Sequence, residues 1–170
     1  MVAENRGSQD GLAEMLISLT DWSAYRRSTG RPATGVGELL TALLISKDAA
    51  SADPACDAIE NAVAVQSNLF SASEPALQVL AASLADPRPR WVRLSVFDLM
   101  FLVLSGGPVS NEIERGNAHL LERCISRVRE SLWLIVQEAL ADPTCKRAAL
   151  DVLRLVDPGG KSVEILDANS

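Results

Sequence analysis

The chain has 170 residues, of which 48% are hydrophobic and only 4% aromatic, and its formal net charge is −6. A chain of this length can bury a core of its own, so its folding requires neither a metal ion nor disulfide bonds. The acidic excess disfavours binding to nucleic acids or anionic lipids, and no apolar run approaches the roughly 18 residues that cross a bilayer.

The first third of the chain predicts three helices. Alanine and leucine dominate the composition, which favours close-packed helices over sheets. Residues 1–8 are expected to be flexible, and a cap helix is predicted over residues 9–19 because its large apolar residues recur at helical spacing. After a connection that contains glycine and proline, two further helices are predicted over residues 36–45 and 53–69.

The middle of the chain predicts a buried helix. A helix through residues 77–84 is followed by one over residues 89–104 that is apolar almost all round, so we expect it at the centre with neighbours on both sides. Gly106 and Gly107 end this helix. The polar residues 108–117 predict either an ordered insertion or a mobile loop.

The last third of the chain predicts a long helix over residues 119–140 and a final helix over residues 145–156. Residues 167–170 are expected to be flexible. Residues 9–166 then form a single domain, since the chain is about the size of one domain and no linker divides this range.

An Asp-Pro pair recurs between these helices, at Asp53-Pro54, Asp86-Pro87 and Asp142-Pro143. In such a pair the aspartate can cap the next helix, while proline fits the first helical turn, where its missing N–H has no bond to make. Repetition of helix, tight turn and capped helix is typical of stacked helical hairpins, which usually hold another macromolecule. We therefore predict an all-α fold, a right-handed α-α superhelix of about three irregular hairpins behind an N-terminal cap helix.

The run Leu84-Ala85-Asp86-Pro87-Arg88-Pro89-Arg90-Trp91-Val92-Arg93 resembles the turn and second helix of a HEAT repeat, although its Val-Arg pair lies one residue further from the aspartate than is typical. Residues 140–143 match the turn alone. The chain also resembles small bacterial HEAT-like proteins, some of which are encoded beside secreted polymorphic toxins, in residues 59–70, 121–124 and 130–133. The first resemblance implies a HEAT-like fold, and the second implies an immunity-type role.

The negative charge is concentrated in residues 35–87, which hold seven acidic residues and one basic residue, Lys47, whereas the rest of the chain has fifteen of each sign. An acidic surface of this kind can attract and steer a basic protein. Ordinary solubilising charge and helix capping form the alternative explanation.

The second helices of stacked hairpins line their concave surface, so outward polar residues on these helices are the predicted partner contacts. They are Asp57, Glu60, Asn61 and Asn68 on the first, Trp91, Ser95 and Asp98 on the second, and Arg147, Asp151 and Arg154 on the third. Trp91 fits an interface anchor as well as a packing residue. Trp133, within an apolar run, is predicted to lie in the core.

Catalytic chemistry has no convincing residues in this sequence. Cys56, Cys124 and Cys145 are scattered and include no Cys-x-x-Cys pair, so we expect reduced core thiols. His119 is the only histidine, and no metal-binding set, phosphate-binding loop or buried pair of carboxylates accompanies it. We therefore predict no enzymatic activity, no metal and no cofactor.

Two groups of arginines are also consistent with the hypothesis that the protein binds nucleic acid, because some HEAT-like proteins resemble DNA glycosylases. The groups are Arg88, Arg90 and Arg93, and Arg123, Arg127 and Arg129. The adjoining acidic half opposes DNA phosphates, and salt bridges between helices are the alternative role for these arginines. A chromophore-lyase-like activity, also known on HEAT-like folds, has no distinguishing residue here.

The sequence thus predicts a non-catalytic protein-binding module, an immunity-type protein that occludes a basic toxin domain through an acidic concave face. A scaffold or adaptor subunit is the alternative. The polar start of the chain lacks the basic-then-apolar order of a signal peptide, so the protein is expected in the cytoplasm, as a monomer or weak homo-oligomer that binds neither nucleic acid nor membrane.

Overall fold

The computed structural model describes residues 11–168, except for the side chain of Asp167. Helix accounts for 69% of these residues, which confirms an all-α protein at the level of secondary structure. The predicted flexible residues 1–8 lie outside the described residues, as do residues 169 and 170 of the predicted flexible end.

Within this part of the chain there are ten α-helices, one 3-10 turn and three two-residue strands. The helices are α1 (Leu12–Leu19), α2 (Val36–Leu44), α3 (Ala49–Val63), α4 (Ser73–Ser83), α5 (Arg90–Leu104), α6 (Ser110–Glu114), α7 (Leu120–Glu130), α8 (Leu132–Ala141), α9 (Pro143–Val156) and α10 (Lys161–Ala168). The 3-10 turn is Trp22–Ala24, and the strands are β1 (Ala64–Val65), β2 (Asn68–Leu69) and β3 (Gly107–Pro108). Among these helices, none combines the length and the apolar character that a membrane span requires.

Helix α5 lies at the centre of the molecule, as its apolar sequence predicts. It contacts α3, α4, α7 and α9, and its Phe97 and Met100 are completely buried. In a second set of contacts, α1 packs against α2 and α4, and α4 packs against α7. Most buried apolar side chains of these helices belong to one continuous hydrophobic core.

Helix α3 begins earlier than predicted and also ends earlier. Its N-cap is Asp48, whose carboxylate accepts a hydrogen bond from the Ser51 N–H at 2.8 Å in a reciprocal capping box. Because this box already satisfies the first turn, Asp53 is not a cap and Pro54 lies inside the helix. The prediction that Asp53-Pro54 opens the helix is therefore wrong.

A β-hairpin replaces the predicted end of α3. Strands β1 and β2 pair antiparallel, and Gln66 and Ser67 form the two-residue turn with positive φ angles of 51° and 63°. Such a turn usually contains glycine or asparagine at these two positions, so the sequence carries no signal for it. Strand β3 then pairs parallel to β2, which places Asn68 in this small sheet and not on the α3 helix.

The other two Asp-Pro pairs behave differently from each other. The side chain of Asp142 caps α9 by accepting a hydrogen bond from the Thr144 N–H at 2.9 Å, as predicted. Asp86 does not cap α5, which begins after Pro89 without a side-chain cap. Asp86 instead lies 3.3 Å from the guanidinium of Arg88, so an ion pair takes the place of the predicted cap.

The predicted long helix over residues 119–140 is two helices. Ser131, with φ −112° and ψ 17°, interrupts it between α7 and α8. This break allows α7 to pack against α4 while α8 packs against α9 and α10. The polar residues 108–117 are an ordered insertion that includes part of β3 and all of α6, and α10 continues as far as Ala168.

Candidate functional site

Helices α3 and α5 bring three of the predicted contact residues together. The thiol of Cys56 on α3 lies near Ser95 on α5 and within the electrostatic influence of Asp57 and Asp98. Burial is the main cause that raises the pKa of this thiol, and the neighbouring carboxylates, including that of Asp53, raise it further. The packing of α3 on α5 therefore places Asp53, Asp57 and Asp98 near one another.

We call Asp53, Asp57, Glu60 and Asp98 the acidic patch. Desolvation by neighbouring atoms raises the pKa of Asp98, although its side chain remains exposed. Among residues 11–168, no lysine or arginine nitrogen lies within 4 Å of these four carboxylates. The patch thus presents negative charge to solvent without internal neutralisation.

Other acidic residues of the same sequence region are used inside the fold. Asp48 caps α3, Glu74 lies between the guanidinium groups of Arg123 and Arg127, and Asp86 pairs with Arg88. The alternative explanation from the sequence, which included helix capping, is therefore confirmed for Asp48. Glu74 and Asp86 are instead neutralised by ion pairs, which that explanation did not include. The exposed negative charge is therefore carried by fewer residues than the sequence indicated.

The remaining predicted contacts on the first two helices are less uniform. Asn61 donates its side-chain amide to the Asp57 carbonyl at 2.8 Å, so its position is fixed by its own helix. Asn68 is exposed, but it belongs to the hairpin. Trp91 is half-buried, and its indole N–H donates to the Ser46 carbonyl at 3.2 Å, which is a packing contact.

The predicted contacts on the third helix lie on α9, which packs against α5. Asp151 and Arg154 form an exposed ion pair at 3.1 Å, and Arg147 is exposed. This helix therefore adds mixed charge beside α5 and no extension of the acidic patch.

Four of the six arginines in the two predicted groups form salt bridges. Arg88 pairs with Glu14 at 2.7 Å, Arg93 with Glu138 at 2.7 Å and with Asp142 at 2.8 Å, and Arg123 and Arg127 with Glu74. Arg129 donates a hydrogen bond to the Val156 carbonyl. The salt-bridge interpretation is confirmed for these four, and their guanidinium groups do not form a basic stripe for phosphates.

A buried polar network was not predicted from the sequence. Glu112 in α6 is completely buried, and its Oε2 accepts a hydrogen bond from the Asn117 side chain at 2.6 Å. Asn117 in turn accepts one from Arg123 at 3.0 Å, and Arg123 pairs with Glu74 on α4. This network connects the insertion to α4 and α7. No spacing in the sequence predicts it, because its members come from three separate helices and a loop.

Trp133 is 62% exposed, so the prediction that it lies in the core is wrong. The break at Ser131 shifts the helical phase, with the result that Leu134 and Ile135 are buried instead. An exposed indole is a common interface residue, yet the apolar run around it gave no indication of exposure.

The thiols and the histidine form no catalytic arrangement in the described residues. Burial raises the pKa of Cys124 to about 12, and burial also raises that of Cys145, so neither is an activated nucleophile. His119 is exposed and lies 3.7 Å from Glu122. No cluster of three or more acidic, cysteine or histidine side chains in residues 11–168 is suited to hold a metal ion.

No protein-family model matches the sequence, and comparisons with curated proteins and with solved structures give no significant match.

Proposed function

We propose that this protein is a non-catalytic, HEAT-like protein-binding module. In this proposal α1 is the cap helix, and three irregular hairpins follow in a right-handed superhelix: α2 with α3, α4 with α5, and α7 and α8 with α9. The contacts within these pairs, and those of α5 with both α3 and α9, support such a stack.

The proposed role is to bind and occlude a basic protein domain through the acidic patch. The observation that carries the proposal is the set of four carboxylates on two contacting helices, three of them exposed and that of Glu60 half-buried, with no lysine or arginine nitrogen of residues 11–168 within 4 Å. Such a local field accelerates the encounter with a positively charged partner and opposes nucleic-acid phosphates. The resemblance of residues 59–70 to immunity-type proteins suggests a toxin domain as the partner.

The test is affinity capture from a lysate of the source cells with the double variant Asp57→Lys/Asp98→Lys. Each reversal replaces attraction by repulsion at the same point, so we expect the captured partner to fall at least about tenfold. The matched control is Glu114→Lys/Glu164→Lys, which changes net charge equally at exposed positions on α6 and α10.

Equal capture by both double variants would contradict the proposal, because it would show that only net charge matters or that another surface binds. Circular dichroism of both variants controls for folding. If the captured partner kills cells that lack this protein, the immunity role is supported; a harmless partner indicates an adaptor.

A further inference from the structure

A groove of about 370 Å³ lies between α1 and α2, outside the proposed binding surface. Its walls are mostly apolar and come from Ile17 on α1, Trp22 in the 3-10 turn, and Ala42 and Ile45 on and just after α2. This volume falls within the range of roughly 300–1,000 Å³ that is usual for ligand pockets. The groove is therefore large enough to hold side chains of a partner.

The inner wall of the groove is preformed. The Trp22 indole N–H donates to the Ile17 carbonyl at 3.1 Å, which leaves the apolar part of the ring to line the wall. A Cβ atom on Gly37 would lie 2.9 Å from Trp22 Nε1 and 3.1 Å from Ile17 Cγ2. Glycine at this position thus allows α2 to approach Trp22 closely, and the groove keeps its shape without a ligand.

Of the side chains that line the groove, only that of Glu38 carries a charge. Thr41 donates its hydroxyl to the Gly37 carbonyl at 2.9 Å, so its hydrogen-bond donor is already used. Glu38 is exposed in the first turn of α2, and no basic nitrogen within residues 11–168 lies within 4 Å of its carboxylate. At the other end, Ile45 is 66% exposed. The groove therefore offers apolar walls and one unpaired carboxylate.

We propose that this groove binds a peptide segment of a partner protein in which an aliphatic side chain lies one helical turn from a lysine or arginine. The aliphatic group would contact Ile17, Trp22 and Ile45, and the cation would pair with Glu38. The charge complementarity with Glu38 selects a cationic segment over a neutral or acidic one. None of the lining residues belongs to α3 or α5, so the site is independent of the acidic patch.

The test uses two-dimensional NMR of the full chain with a short helical peptide of leucine and lysine. We expect saturable shifts of the Trp22 indole and Gly37 amide resonances, with the Trp91 and Trp133 indoles unchanged. Ile45→Ser should weaken binding about tenfold through lost apolar contact. Glu38→Gln should weaken it about two- to fivefold, as for an exposed ion pair. The Asp57→Lys/Asp98→Lys variant should bind this peptide as the wild type does.

Three results would overturn the inference. One is equal binding of the matched leucine and glutamate peptide, which would remove the role of Glu38. The second is shifts centred on α3 and α5, which would mean that the peptide samples only the acidic patch. The third is Trp22 shifts that follow protein concentration without any peptide, which would assign the groove to a second copy of this chain.

Discussion

Replacing Gly106 by alanine is expected to lower the free energy of unfolding by about 1–3 kcal/mol, the range for overpacking a closed site. A Cβ atom there would lie 2.7 Å from the Ser67 carbonyl oxygen and 2.9 Å from Leu69 Cδ2. The Ser67 oxygen cannot move away freely, because it accepts a hydrogen bond from the Gly107 N–H at 2.9 Å and belongs to a turn with two positive φ angles. The steric clash would therefore lie where the β1–β2 hairpin meets the insertion formed by residues 108–117.

Gly107→Ala is the matched control for this prediction. No atom lies within 4 Å of a Cβ built at Gly107, so its replacement should change stability by no more than about 0.5 kcal/mol. Urea unfolding of the two variants measures the difference. Equal stability of the two variants would contradict the prediction. It would show that the residues around the hairpin can shift to accommodate a Cβ atom at position 106.

Arg93→Ala is expected to destabilise the protein by about 1–3 kcal/mol, less than the 3–5 kcal/mol for breaking a fully buried pair. Arg93 pairs with Glu138 at 2.7 Å and with Asp142 at 2.8 Å, and so connects α5 to α8 and to the cap of α9. The side chains of Arg93, Glu138 and Asp142 are 20%, 13% and 19% exposed. The substitution leaves two poorly solvated carboxylates without a cation.

The effect of Arg93→Ala should also depend on pH. The pKa of Asp142 is lowered from its ordinary value of 3.8, first by hydrogen bonds from Thr144 and also by the charge of Arg93. A group whose folded pKa is depressed stabilises the fold above its unfolded pKa and loses this contribution as the pH falls through the folded pKa. The stability gap between wild type and variant should therefore narrow below about pH 4.

Thermal unfolding of both proteins between neutral and acidic pH measures this narrowing. Arg90→Ala serves as control, because Arg90 is exposed at the start of the same helix. A gap that stays constant with pH, or an equal loss in Arg90→Ala, would contradict the assigned role of the Arg93 ion pairs.

The sequence predicts the core of this fold well because hydrophobic periodicity is strong there. Helices α2 and α5 have nearly the predicted bounds, and α5 is central because its apolar residues surround it on all sides. The cap at Asp142 was also predictable, since a local side-chain hydrogen bond decides it.

The interruptions of the helices were not predictable, because tertiary contacts decide them. Gln66 and Ser67 adopt positive φ angles without the usual glycine or asparagine, and Ser131 breaks a segment whose apolar spacing suits one helix. Because of these two features, Asn68 lies outside α3 and Trp133 is exposed. The pattern of apolar residues along the sequence does not predict that the hairpin pairs with β3, or that α7 and α8 pack against different helices.

The candidate site was predicted in part. Helical spacing placed Asp57, Ser95 and Asp98 on outward faces, and the packing of α3 on α5 brings them together. Counting charges along the chain could not show that Glu74 and Asp86 are neutralised by arginines distant in sequence or across a turn. Long-range ion pairs, rather than local pattern, determine which carboxylates remain available.

Photo-crosslinking can show whether the acidic patch is the surface that contacts the partner. A photoreactive residue is placed at Glu60 on α3 in one variant and at the exposed Glu122 on α7 in another. We expect a covalent product with the partner from position 60 and none from position 122. A product from position 122 alone would contradict the claim.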